Sequence, residues 1–330
     1  MSFFHWRHNV VDFKTARPLF LGFFALSLLI IFILWIYRDS INRYLNKEGK
    51  KFIFNKLDLD QLFVVIGATA LFFNVIRLIF LFAIDFPWKS EIIPLQLCRF
   101  FTFFIPILFL FKKGHYIKMF SIIAIIGAIM GFAFANLGVI KQFVEDDRLY
   151  NNLQPGTVEY QKAGFNVGYD NIMYWDFILA HSFILIISVF THIAYGEKAK
   201  INLFYLIRGA IYILIYTFAL FFLNWIFNSI GMASSNPKVK VGLDANWLYL
   251  GQAGISVLGP LSKWPVALPV FIVFGIIIYL LICGLYLVLT AIKFETNGIY
   301  IKRVRFVNIK ENFKKYEIPL KDCWKFLKLT

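Results

Sequence analysis

Charge is scarce in this sequence: only 16% of its residues are Asp, Glu, Lys or Arg, and the acidic ones number 19 against 34 basic. Cysteine is rarer still, at three positions, too few and too scattered for a disulfide framework. CxxC, HExxH, a Gly-rich phosphate loop and Cys/His metal spacings are all missing, so neither a metal nor any other cofactor is expected. The seventh apolar run has no lysine, which excludes a retinal Schiff base. No internal repeat is evident, which weakens an inverted-repeat transporter.

Apolar residues fill the rest. Sixty per cent of the 330 positions are hydrophobic, 40 of them Phe, and mean hydropathy is +0.70. A soluble chain cannot hide that much apolar surface, because burial capacity grows too slowly with size. The composition specifies an all-α polytopic membrane protein. Seven runs reach the 17–25 residues that a bilayer requires: Pro18–Tyr37, Gln61–Ile84, Pro94–Phe111, Met119–Ile140, Tyr174–Tyr195, Leu203–Ser229 and Val266–Ile292. The first lies too far in, and lacks a small-residue cleavage site, to read as a removable signal peptide.

Lys and Arg set the orientation, since cytoplasmic connections carry the excess. Segments 38–60, 112–118, 196–202 and 293–330 hold 21 of the 34, and the opposite connections hold ten. Residues 1–17 are therefore expected outside, 18–292 in the seven-helix domain, and the basic tail 293–330 in the cytoplasm. This bias accounts for much of the net charge of +15. No nucleic-acid partner is expected; membrane lipids are, and the basic tail is a candidate dock for a protein. Of the external connections, 141–173 is acidic with a turn at Pro155-Gly156. Residues 230–265 carry Trp247, Leu248, Tyr249 and Leu250, apolar enough to dip back onto the membrane. The tail alternates over Ile299–Ile309 as a strand does.

An Arg or Asp within a span costs about 2.5–3.5 kcal/mol on insertion scales, so its depth is informative. At 1.5 Å per residue, Arg77 lies roughly 11 Å from the outer end of span two, with Asn74 one turn deeper. Gln96, Cys98 and Arg99 lie within about 8 Å of the outer end of span three, and Asp176 and His181 within about 11 Å of that of span five. Asn136 closes span four, and Asn224 and Asn228 occupy the outer turns of span six. The pairs Asn74/Arg77, Gln96/Arg99 and Asn224/Asn228 each share a helix face. Tyr174, His181 and Ser188 form a polar stripe on span five. The economical picture is one cavity opening to the outer leaflet, net positive because Arg77 and Arg99 face Asp176, and suited to a phosphate or carboxylate. Taken singly, Gln96, Asn136 and Asn228 read as interfacial residues. Arg77 and His181 lie too deep for that and call for partners. Cys98 would be an ordinary small apolar residue but for Arg99 and His181, which are the neighbours a thiolate nucleophile uses.

The run Ile93-Pro94-Leu95-Gln96-Leu97-Cys98 at the head of span three resembles the Pro-Leu-His-Leu-Cys motif of the YwaF-like bacterial integral membrane family. His181 and the run Asn246-Trp247-Leu248-Tyr249-Leu250, Gly259-Pro260, Trp264-Pro265 support the resemblance. That family carries a similar Asn-Tyr-Met-Tyr-Leu and Gly-Pro-Trp-Pro pattern before its last span. The likeness covers roughly residues 60–292. The family in turn resembles a eukaryotic transmembrane acyltransferase that carries a fatty acyl group between phospholipids on a cysteine. The resemblance implies Cys98 as acyl acceptor and His181 as its base. The shared depths and helix faces, not the resemblance, put Arg77, Arg99, Gln96, Asn74, Asp176 and Asn224 around the substrate. Gln96 stands where the motif has His; if that His is catalytic, activity is lost here or rests on His181 alone. Three functions remain open: a thiol-dependent lipid acyltransferase, a non-catalytic membrane subunit or scaffold, and a transporter of an anionic solute. The last needs an inner polar path that the sequence hardly supplies.

The topology is directly testable. Impermeant thiol reagents are expected to label Asn151→Cys and Ser235→Cys on intact cells and to miss Cys323. Labelling of Cys323 in sealed cells would invert the map.

Overall fold

The computed structural model describes residues 3–6, 10–135, 137–138, 142–145, 148–151, 153–154, 156–163, 166–252, 256–297 and 300–315. Asn136, Pro155, Ile299 and Cys323, together with the tail beyond residue 315, lie outside the described residues. Seven long apolar helices make this a multi-pass membrane protein: α1 (Phe13–Ile36), α2 (Leu59–Ala83), α3 (Leu97–Leu110), α4 (Ile117–Ala133), α5 (Ile172–Tyr195), α6 (Leu203–Ala233) and α7 (Ala267–Ala291).

Helix starts follow local chemistry. Asp12 accepts from the Thr15 amide at 2.8 Å, so α1 begins five residues before Pro18. Asp58 and Gln61 form a reciprocal capping box, with bonds of 2.8 and 2.9 Å, and move the start of α2 back to Leu59. Asn171 and Asn202 cap α5 and α6 through side-chain oxygens that accept from Met173 N and Tyr205 N. Span three is broken: a helical turn, Lys89–Ile92, precedes α3, and Pro94 lies in the break. Proline lacks the amide needed to continue a helix and disfavours helical geometry just before it.

Span four is shorter than the hydropathy suggests. α4 stops at Ala133, seven residues short of Ile140, because the chain turns to bond with the neighbouring loop. Leu137 O accepts from Val167 N at 3.0 Å. α6 instead runs four residues past Ser229 and reaches 31 residues.

α5 is the central helix, packed against α1, α3 and α4, while α2 pairs with α3. Tyr174 of α5 donates to Ala16 O of α1 at 2.9 Å, and both residues are fully buried. α7 is peripheral; of its most apolar stretch only 6% is buried. Its apolar surface is what a lipid-facing helix presents. At the loop end, Trp6 packs edge-on to Trp88 at 5.5 Å, and near Phe143 of the hairpin β1 (Phe143–Glu145) and β2 (Arg148–Tyr150). At the basic end, the expected strand is half of a second hairpin, β3 (Ile292–Asn297) and β4 (Tyr300–Phe306). A short helix, Ile309–Lys314, follows it; Asn312 donates to Leu287 O at 3.1 Å and Thr290 Oγ1 at 2.9 Å, tying it to α7.

The Trp247–Leu250 part of the segment before α7 turns into the protein and not onto the membrane. Trp247, Leu248 and Leu250 are buried inside the protein against Leu220 and Phe221 of α6. Apolarity cannot distinguish a lipid contact from a protein contact, and here backbone partners within the protein decide the matter.

The α2–α3 contact is tight at Gly67, where an added Cβ would meet Pro106 O at 2.8 Å and Phe109 Cβ at 2.9 Å. Gly67→Ala should destabilise the protein by about 1–3 kcal/mol, the usual cost of overpacking. Gly275→Ala, with nothing within 4 Å, should be neutral or slightly stabilising. Thermal unfolding of both variants in detergent checks the pair.

Candidate functional site

Three helices meet at Asp176, in the second turn of α5. Arg77, near the end of α2, donates through Nε to Asp176 Oδ2 at 2.9 Å. Arg99, in the first turn of α3, donates through one terminal nitrogen to Oδ1 at 3.1 Å and through the other to Oδ2. The side chains are 14%, 11% and 20% exposed, respectively, for Arg77, Arg99 and Asp176. Two guanidiniums share one carboxylate, so the cluster keeps a single positive charge. Among the described residues, Arg77 makes no hydrogen bond besides the one through Nε, so its terminal nitrogens remain as donors. Asn74, one turn deeper, donates to Ala70 O at 2.8 Å and across to Thr102 O at 3.1 Å. It thereby fixes α2 against α3 just below the charges.

The second group of polar residues lies around the segment before α7. Asn224 pairs with both backbone groups of Trp247, at 2.9 Å each. One turn away on α6, Asn228 does the same for Ala245, at 3.0 and 3.1 Å. From α3's N-cap position, Gln96 takes Leu248 N at 3.0 Å and donates to Asn246 O at 3.1 Å. Three side-chain amides therefore satisfy residues 245–248 from two sides, much as neighbouring strands would. A buried non-helical backbone requires such partners, because each unpaired group is costly. Trp247 also donates through Nε1 to Ser90 O at 3.1 Å, and Ser90 Oγ to Asp244 O at 3.2 Å. The clamp holds Leu248 and Tyr249 at φ 53° and 57°, a left-handed conformation rare for such side chains.

Cys98 is half-buried in the first turn of α3, next to Arg99 and two residues beyond the clamp's Gln96. Tyr249 is pushed above the ordinary phenol range, chiefly by burial.

His181 is fully buried, stacked on Phe177 with ring centres 4.0 Å apart, and edge-on to Phe132. Its Nδ1 lies 2.7 Å from Phe177 O. A carbonyl only accepts, so Nδ1 carries the proton and Nε2 of the neutral ring presents a lone pair. Nε2 has no hydrogen-bond partner among the described residues. Gly131 of α4 leaves room for the ring, and a Cβ there would overlap it.

The structure thus brings Arg77, Arg99 and Asp176 into one cluster, with Asn74 beneath it. Gln96 and Asn224 belong to the clamp. No hydrogen bond joins His181 to Cys98. Sequence spacing found the Asn224/Asn228 pair but not its purpose, and missed Ser90 and Gly131, which carry no motif. The Asn-Trp-Leu-Tyr-Leu run was the available signal for the clamp.

The TMEM164 family model matches residues 3–286 of the chain. No curated protein and no solved structure gives a match.

The clamp makes a sharp prediction. Asn224→Ala strands the Trp247 amide and carbonyl, at about 1–3 kcal/mol for each buried unsatisfied group. Limited trypsinolysis at Lys240 and Lys263 should become faster, along with a lower melting temperature. Unchanged cleavage would mean that the segment is held by its apolar contacts alone.

Proposed function

The chain belongs to the TMEM164 family of transmembrane proteins, and on that premise we propose that it is a lipid acyltransferase in which Cys98 carries the acyl group. The observation that supports this most is a cysteine in the first turn of a helix, adjoining a buried charge cluster with one uncompensated guanidinium. A negative charge developing on Cys98 Sγ would face the positive end of α3 and Arg99. The terminal nitrogens of Arg77 offer a paired-donor fork to a phosphate or carboxylate. Topology completes the reading: the loop end faces outward, so the lipid is taken from the outer leaflet, and the basic end faces the cytoplasm and any protein partner of the tail.

The chemistry balances without a cofactor. His181 Nε2 takes the thiol proton, and Sγ attacks the ester carbonyl of a donor phospholipid. The C–S bond forms, the ester C–O bond breaks, and the departing alkoxide takes the proton back from His181 to leave a lysolipid. The hydroxyl of a second lipid reverses the sequence and restores the thiol. His181 and Cys98 are not hydrogen-bonded to each other, so the proton transfer requires the two to draw together, as catalytic contacts often tighten on substrate binding. Gln96 takes no proton in this scheme, because its amide is committed to the backbone of Asn246 and Leu248.

A scaffold reading is favoured by one specific observation, the commitment of Gln96, Asn224 and Asn228 to holding the chain's own backbone. Two experiments separate the readings. Hydroxylamine-sensitive acyl label is expected on Cys98 and on neither Cys283 nor Cys323. Cys98→Ser removes it, and His181→Ala slows its formation by about 10²–10⁴, the usual contribution of a general base. Label that persists in Cys98→Ser, or the failure of label to appear with any lipid donor, defeats the enzyme reading. Arg77→Ala should also lower phospholipid co-purification while the protein stays folded. Arg77→Lys should restore it only in part, since lysine lacks the planar fork.

A further inference from the structure

A second site lies at the opposite end of the bundle. Asp176 and His192 are sixteen residues apart on α5, or about 24 Å along its axis. Around His192, the ends of α1, α5 and α7, the short helix Arg38–Leu45 and strand β3 border an open cavity of about 650 Å³. Its inner wall is aromatic: Trp35 stacks parallel to His192 with ring centres 6.3 Å apart, and Tyr286 meets His192 edge-on at 5.8 Å. His192 Nδ1 is buried there with no hydrogen-bond partner among the described residues.

The mouth of the cavity is cationic beyond what the fold requires. Helix C-termini attract cations to their unpaired carbonyls, yet these carbonyls already have caps. Asn42 donates to Ile193 O at 2.8 Å and Ala194 O at 3.2 Å, Asn46 to Ala194 O at 2.8 Å, and Arg38 to Trp35 O at 3.0 Å and to Ile292 O. Of the carboxylates lining the cavity, Glu295 is paired with Arg305 at 2.9 Å and Glu197 with Lys200 at 3.4 Å, and Asp39 lies beside Arg38. That leaves Arg43, Lys293 and Lys315. Arg43 makes only long bonds, to Asp39 O and Ser40 Oγ at 3.3 and 3.4 Å. The Nζ groups of Lys293 and Lys315 have no hydrogen bond or ion pair among the described residues. Beside the cavity, Phe32 and Ile33 of α1 and Leu285 and Val288 of α7 are exposed as a lipid-facing flank.

We propose that this cavity binds the phosphate-bearing headgroup of an anionic lipid, with Arg43, Lys293 and Lys315 on the phosphate and the Trp35–His192–Tyr286 wall beneath it. The chemistry favours phosphate, because three cations lining one cavity can satisfy its several acceptor oxygens. The flanking helices favour a lipid source, because they let the acyl chains stay in the bilayer while the headgroup enters. This site does not depend on the acyl-transfer reading, and its test does not measure activity.

The test uses the purified full-length protein in a zwitterionic detergent, with thermal unfolding followed as dihexanoyl phosphatidic acid is titrated. The expected result is a saturable rise in melting temperature that dihexanoyl phosphatidylcholine does not reproduce. In Arg43→Gln/Lys293→Gln the midpoint of that rise should move at least tenfold higher in lipid, with the ligand-free melting temperature unchanged, since both side chains are exposed. Should that variant melt early, Lys315→Gln is read instead, with the same direction expected. Inorganic phosphate distinguishes the sources: a full shift with phosphate alone supports the phosphate site but overturns the lipid assignment. A shift only with the lipid supports both. An equal response to phosphatidylcholine, or variants that respond as the native chain does, would overturn the site.

Discussion

One carboxylate organises the loop end of this protein. Asp176 receives Arg77 from α2 and Arg99 from α3, so a single residue of the central helix fixes both members of the α2–α3 hairpin. Removing one partner of a buried ion pair typically costs about 3–5 kcal/mol, because a charge is left without compensation. Here loss of the carboxylate would strand two cations at once. The arrangement also leaves a net positive charge in a largely apolar setting, where fields are weakly screened. Everything proposed for Cys98 depends on that charge and on its position beside the first turn of α3.

The amide clamp addresses a different constraint. A chain segment without helix or sheet cannot enter an apolar interior unless its peptide groups find partners. Asn224, Asn228 and Gln96 supply them for residues 245–248, and the apolar side chains of Trp247 and Leu248 can then pack inward. Gln96 is joined through the chain to Cys98 and Arg99, so the clamp and the charge cluster position the same turn of α3. Both groups of polar residues therefore act on the thiol's surroundings, one through charge and the other through backbone placement.

The two ends of the molecule divide their charge differently. At the loop end the cations are drawn into an ion-pair cluster, with one carboxylate between two arginines. At the basic end the carboxylates are mostly occupied elsewhere, and the helix carbonyls are capped by neutral amides and Arg38, so several cations face an open cavity. Counting basic residues by connection records only the excess at that end. It says nothing about which of them are already satisfied.

The sequence by itself determined the membrane class and the number of spans, because mean hydropathy and run length depend on composition alone. It also placed Arg77, Arg99 and Asp176 at matched depths, since depth follows from residue number at a fixed rise per residue. Depth is one coordinate of three, however. His181 and Cys98 share it, and the tertiary structure forms no hydrogen bond between them, whereas Asp176 meets both arginines. Helix rotation and packing set the other two coordinates, and a sequence window does not contain them. The same limit explains Trp247 to Leu250. Their apolarity was legible, but whether they faced lipid or protein was decided by Asn224, 23 positions from Trp247 on α6, and by Gln96 on α3. The end of α4 was decided likewise by a backbone bond to Val167, a partner that hydropathy cannot register.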